Sequence, residues 1–110
     1  EPVLFLCQEE DIMRLCSNLL SNAIRYARSQ ITVECCMKEK EAYLCVADDG
    51  DGIDEKDLPH IFERFYKGNG GVHGIGLSIV KSVLDRYGAR IHVDCTPGAR
   101  FEIWFPSLQP

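Results

Sequence analysis

From Asp11 to about Arg28 the apolar residues recur at helical spacing: Ile12, Leu15, Leu19, Ala23 and Ala27 form one stripe, widened by Leu20 and Ile24. Glu9, Glu10 and Asp11 stand at its head, where carboxylates meet the positive end of a helix dipole. Two strand-like runs follow, "ITVECCM" and "AYLCVAD", parted by the charged "KEKE". They predict an antiparallel hairpin with a solvated tip. The second run leads directly into "DGDGID". Beyond it, "DEKDLPHIFERFY" predicts a short helix capped by Asp54, with Leu58, Ile61, Phe62 and Phe65 on one side. Pro59 fits only a first helical turn, so two short pieces are allowed.

"KGNGGVHG" holds four glycines in eight residues and reads as a loop. "IGLSIVKSVLDRYG" predicts a second long helix, with Leu77, Val80, Leu84 and Tyr87 in a stripe and Gly88 as the stop. "RIHVDC", the turn "TPGA" and "RFEIWF" predict a closing hairpin. The resulting order, α-ββ-α-α-ββ, lacks the alternation of a parallel doubly wound sheet. It predicts an α+β fold, a two-layer α/β sandwich whose mixed, mostly antiparallel sheet carries its helices on one face.

Composition narrows the function classes. The 110 residues make one domain, 1–110, and the apolar (45%) and charged (26%) fractions are those of a soluble globular protein. No apolar run approaches the ~20 residues of a membrane span, and the N-terminal residues are not a signal peptide. The net charge of −5 argues against general affinity for nucleic acid or anionic lipid. A bound polyanion would need a few placed groups and a cation. The six cysteines, Cys7, Cys16, Cys35, Cys36, Cys45 and Cys95, form no CxxC pair and have no histidine at ligand spacing. They read as small buried hydrophobes in a reducing compartment.

Several nucleotide and metal motifs fail on their spacing. Counted from Asp49, an EF-hand loop would put Asp54 at its glycine and His60 at its bidentate glutamate. "GVHGIGLS" lacks the lysine of a P-loop, because Leu77 stands there, and Gly74-Ile75-Gly76 lacks the third glycine of a dinucleotide fingerprint. What survives is a helix opening on "GIG", whose unpaired N–H groups suit an anion, although a glycine-rich loop capping a structural helix fits as well. On the first helix, Asn18 and Asn22 lie one turn apart on one face, with Arg25 a turn further on. Their neutral, hard amide oxygens suit magnesium beside phosphates, and the guanidinium suits a phosphate oxygen. A solvent-facing polar stripe is the plainer alternative. Asp48, placed as a buried carboxylate just past a strand end, can accept from the exocyclic amine of adenine and would meet guanine's oxygen acceptor to acceptor. Gly50 and Gly52 would let the chain turn beneath the purine, with Asp49, Asp51 and Asp54 as turn formers and caps.

Taken together, these segments resemble the catalytic, ATP-binding domain of a bacterial sensor histidine kinase, on the Bergerat fold shared with gyrase-type, chaperone and mismatch-repair ATPases. "NLLSNAIRYA" (18–27) resembles the N box, and "DDGDGI" (48–53) the first glycine box, with Asp49 where asparagine is usual. "IFERFYKG" (61–68) resembles the F box, "HGIGLSIVK" (73–81) the second glycine box and "RFEIWFP" (100–106) the final strand. The match runs in order over nearly the whole chain.

The resemblance implies roles. Asn22 and Asn18 would hold magnesium against the triphosphate, Arg25 would meet phosphate, and Tyr26 would lie beside the nucleotide. Asp48 would read adenine in a pocket shaped by Gly50, Gly52 and Ile53. Phe62, Phe65 and Tyr66 would flank the site, and Lys67, where arginine is common, would reach the γ-phosphate. Gly74, Ile75, Gly76 and Leu77 would cradle phosphates, with His73 where serine or threonine is usual. The segment between the F box and "HGIG" is short for the family.

None of His60, His73 and His92 has the context of the family's phosphorylated histidine. The expected activity is therefore γ-phosphoryl transfer from Mg-ATP to a histidine on a separate dimerisation domain of a larger parent protein. A response regulator would act downstream. The domain would be cytoplasmic and monomeric, with neither nucleic acid nor membrane as partner, leaving open any membrane anchor of the parent. Two alternatives use the same fold: a nucleotide-binding regulatory module without transfer, and a serine kinase of the anti-sigma type.

Overall fold

The computed structural model describes residues 8–63, 76–95 and 98–106. Helix α1 spans Glu9–Tyr26, strands β1 and β2 span Ile31–Lys38 and Glu41–Asp48, and a 3-10 turn covers Leu58–His60. Helix α2, Gly76–Tyr87, and strands β3, Arg90–Asp94, and β4, Arg100–Phe105, complete the order. The four strands form one sheet in the order β1-β2-β4-β3, with every described pair antiparallel. The β1–β2 hairpin turns at Glu39 and Lys40, both left-handed (φ 51° and 72°), the geometry whose twist matches a two-residue hairpin.

Strand alternation assigns the two faces. Ala42, Leu44 and Val46 of β2 and Phe101, Ile103 and Phe105 of β4 point to the helical layer. They meet Leu15, Leu19 and Ala23 of α1 and Leu77, Val80, Val83 and Leu84 of α2 in one core. The opposite face has no helix among the described residues, yet Tyr43 and Cys45 are buried there. Lys38 Nζ lies 3.8 Å from the Tyr43 ring centre, Trp104 packs against that ring at 5.4 Å, and Tyr43 Oη donates to Glu102 at 2.6 Å. Long polar side chains thus roof two apolar positions.

Local departures from the expected elements have local causes. Helix α1 starts and ends two residues before the expected Asp11–Arg28. Its last backbone bond runs from Ala27 N to Ala23 O, after which Ala27 is extended (ψ 143°). Ile24, expected on the buried stripe, is 68% exposed, on the outer side of α1 with Met13 and Ser17. The expected 54–66 helix is reduced, over its described part, to turns and the 3-10 piece, with Pro59 in its first turn as its missing N–H requires. Asp54 caps a turn instead of a helix: its Oδ1 accepts from Lys56 N at 3.2 Å. The described cysteines are free thiols, but only Cys45 is fully buried and Cys35 is exposed, against the expectation of buried hydrophobes.

The two helices run antiparallel, bonded at one end of their contact and closely packed at the other. Asp11, 3% exposed, accepts from Arg86 Nη1 through both oxygens at 2.9 Å and from Tyr87 Oη at 2.5 Å. At the other end, the first residue of α2 meets the middle of α1, which places the site.

Candidate functional site

Asn18 and Asn22 are half-buried on α1, one turn apart. Asn18 Nδ2 donates to Arg14 O at 2.7 Å, a bond that commits the amide nitrogen to the helix backbone. Its Oδ1 is thereby turned toward Gly76, where a Cβ would lie 3.1 Å from it. The start of α2 and the middle of α1 therefore lie side by side, with a hard amide oxygen facing a helix N-terminus. Asn22 extends the oxygen row, and Arg25 lies exposed in the last turn. A divalent cation that prefers oxygen fits this donor set. Leu77, expected near the ligand, is 2% exposed with its side chain in the core, so only its backbone N–H in the first turn of α2 remains for an anion.

The third segment is the turn after β2. Asp48 is the last strand residue, paired with Ile31, and is half-buried rather than buried because the strand ends there. Its backbone N–H donates to Ala99 O at 2.9 Å, and its Oδ1 accepts from Gly50 N at 2.8 Å. The second bond holds the carboxyl group, and Oδ2 makes no hydrogen bond among the described residues. Gly50 is packed on the end of α1, where a Cβ would stand 2.1 Å from the carbonyl oxygen of Tyr26. Gly52 is left-handed (φ +82°), and a Cβ on it would lie 1.9 Å from Cys95 O. Both positions require the missing side chain. Tyr26 and Ile53 are half-buried, and Ile53 N donates to Cys95 O at 3.3 Å. Phe62 and Ile53 pack against the core. Phe65, Tyr66, Lys67, His73, Gly74 and Ile75 lie outside the described residues.

Sequence reasoning missed two contributors. Gly98, in the "TPGA" turn, lies so close beneath Asp48 that a Cβ would sit 2.0 Å from Asp48 O. The proline-glycine pair signalled a turn but not its partner. Asp49, taken as a turn former, accepts from Arg28 N at 2.8 Å, Ser29 N at 3.0 Å and Ser29 Oγ at 2.7 Å. The Ser29 backbone N–H, followed by its hydroxyl, holds this carboxyl well below the usual carboxylate range. Arg28 also pairs with Asp51 at the surface.

Other ionisable groups lie away from this cleft. His60 pairs with Glu63, and His92 Nε2 lies 3.0 Å from Asp94 opposite Glu102 on the open sheet face. The His92–Asp94–Glu102 group has donor atoms suited to a metal, but Glu102 already accepts from Tyr43 and stands 3.7 Å from the Arg100 guanidinium. No described helix is long and apolar enough to cross a membrane.

Comparison with known proteins follows this geometry. The profile of the "Histidine kinase-, DNA gyrase B-, and HSP90-like ATPase" family matches residues 7–109. The sensor histidine kinase YkoH of Bacillus subtilis is 38% identical over 105 residues, covering 89% of this chain and 23% of that protein. The phosphate regulon sensor protein PhoR of Pseudomonas aeruginosa is 39% identical over 98 residues, 82% of this chain and 22% of its own length. The chain thus spans under a quarter of these relatives. Among solved structures, the mycobacterial sensor histidine kinase MprB superposes with a TM-score of 0.85 at 26% identity, over 96% of this chain and 78% of that one. This chain belongs to the histidine kinase-, DNA gyrase B- and HSP90-like ATPases, and the relatives it matches are sensor histidine kinases.

Proposed function

We propose that this domain binds Mg-ATP in the cleft between α1, the turn 48–53 and the start of α2, and hands the γ-phosphoryl group to a histidine on a separate dimerisation domain. The observation that supports the reading is convergence on α1: Asn18 Oδ1 faces Gly76 at the start of α2, and Gly50 of the 48–53 turn lies against Tyr26 O. Asp48 Oδ2 accepts from the adenine amine. Asn18 and Asn22 hold the cation through amide oxygens, which bind it without setting another anion beside the triphosphate. A magnesium ion held there would supply neutralisation of phosphate charge during transfer. Arg25 and the N–H groups at the start of α2 hold phosphate oxygens in place.

Transfer then forms a phosphorus–nitrogen bond to the acceptor imidazole and breaks the bond to ADP, while the imidazole proton passes to solvent. This chain positions the donor and supplies no nucleophile, in keeping with catalysis by placement and charge stabilisation. Lys67 is assigned to the γ-phosphate on the F-box match alone. A response regulator is the onward acceptor.

Single-turnover mixing with labelled ATP, magnesium and a supplied acceptor-histidine domain tests the reading. The expected product is acid-labile phosphohistidine. Tight binding with no transfer would make the domain a regulatory nucleotide module, and an acid-stable product would make it a serine kinase.

A further inference from the structure

We propose that Asp49 is a positioning residue: it fastens the base-reading carboxylate of Asp48 to the helix end that carries Asn22 and Arg25, and so sets purine discrimination. The inference rests on the nucleotide site proposed above. Helix α1 ends at Tyr26, and residues 28–30 follow at once. Asp49 Oδ1 takes the backbone N–H groups of Arg28 and Ser29, at 2.8 and 3.0 Å. Its Oδ2 takes the Ser29 hydroxyl at 2.7 Å, and its own N–H donates to Gln30 O at 3.2 Å. One residue further on, Gly50 touches Tyr26 O so closely that no Cβ fits. Residues 26–30 and 48–50 therefore interlock at consecutive points.

That junction joins the turn that carries Asp48 to the end of α1 directly. Asp48 and Asn22 belong to different elements, and their relative placement follows from how the turn seats on the end of α1. The nearby Arg28–Asp51 pair cannot provide the fastening: its side chains are 71% and 84% exposed, and ion pairs so placed contribute little. A carboxylate suits the junction because its two oxygens serve backbone and hydroxyl donors together. Asparagine would keep Oδ1 for the two backbone N–H groups and turn its Nδ2 to the Ser29 hydroxyl, which can reverse its role and accept. Alanine would leave all three donors unserved.

The test is nucleotide titration of the parent chain, Asp49→Ala and Asp49→Asn with ATP and GTP at fixed magnesium, each variant first shown by thermal melting to be folded. Asp49→Ala is expected to weaken ATP binding roughly tenfold and to lower the ATP-over-GTP ratio by a similar factor, with Asp49→Asn recovering most of both. An unchanged Asp49→Ala overturns the proposal and leaves the nucleotide reading standing. Equal weakening of ATP and GTP also overturns it, because Asp49 would then be structural only. A parent chain that binds neither nucleotide overturns the reading beneath it as well. Should Asp49→Ala not fold, Ser29→Ala, at an exposed position, goes through the same comparison: a reduced ratio supports the proposal and an unchanged ratio overturns it.

Discussion

Asp48 and Asp49 are adjacent in the chain, but their carboxylates work in opposite directions. Asp49 is saturated by donors from the end of α1, whereas Asp48 spends one oxygen on Gly50 N and keeps the other. An acceptor held in place but not fully used is what recognition of an amine requires. Replacing Asp48 by asparagine gives that position one acceptor and one donor. Its oxygen either keeps the Gly50 N–H, turning the amide donor toward the adenine amine, or serves adenine and leaves Gly50 facing a donor. Guanine's oxygen would welcome the new donor. Asp48→Asn is therefore expected to lower the ATP-over-GTP preference by roughly tenfold to a hundredfold, the equivalent of ~1.5–3 kcal/mol for a hydrogen bond to a charged group. Competitive binding of the two nucleotides measures it, and an unaltered preference removes Asp48 from the pocket.

At the scale of elements, the helix pair is anchored at the Asp11 end by a carboxylate, while at the other end Gly76 packs close to Asn18. Hydrogen bonding from Tyr87, reinforced by Arg86, holds the Asp11 carboxyl below its ordinary value of 3.8, and Asp49 moves the same way. A carboxyl whose value is depressed by folding stabilises the native state above its unfolded value and loses that contribution as pH falls through the folded one. Melting temperature should thus fall as pH drops from about 5 to 3. It should fall less in the Asp11→Asn, Asp49→Asn double variant. At neutral pH, Asp11→Asn should lower it more than Asp85→Asn, whose partner Lys81 is half exposed.

The elements themselves were largely legible. Helical stripes, alternating strands and the "KEKE" tip each state their period locally, and the boundaries shift for local reasons, as at Ala27 and Pro59; the long-range partners of single residues were not legible. Asp11 is the instructive case. It looked like a first-turn acid suited to the helix dipole, but its main bonds reach residues about seventy-five positions away. Asp49 and Gly98 were opaque for the same reason: turn composition reveals a turn, not the carbonyl or N–H against which it closes.

At the scale of the whole molecule, the sheet is the platform on which α1, α2 and the 48–53 turn are brought together. Its β2–β4 core pairing fixes Asp48 and Gly98 together, and α2 carries its first turn to Asn18. Ligand binding across these parts should stabilise the fold as a unit. If Mg-ATP occupies only the native state, a concentration of 100 times its dissociation constant adds about 2.7 kcal/mol. For a domain of this size that raises the melting temperature by roughly 10 °C. Chelating the magnesium should remove most of the gain, because the amides of Asn18 and Asn22 then have no cation through which to grip the triphosphate. A smaller rise should survive from base reading by Asp48 and phosphate contacts at the start of α2. Substituting GTP for ATP should cut into that remainder, since only the base differs. Calorimetric melts with ATP and GTP, each with and without chelator, separate the two grips. A rise that ignores both base and metal would mean that neither Asp48 nor the Asn18–Asn22 pair grips the nucleotide.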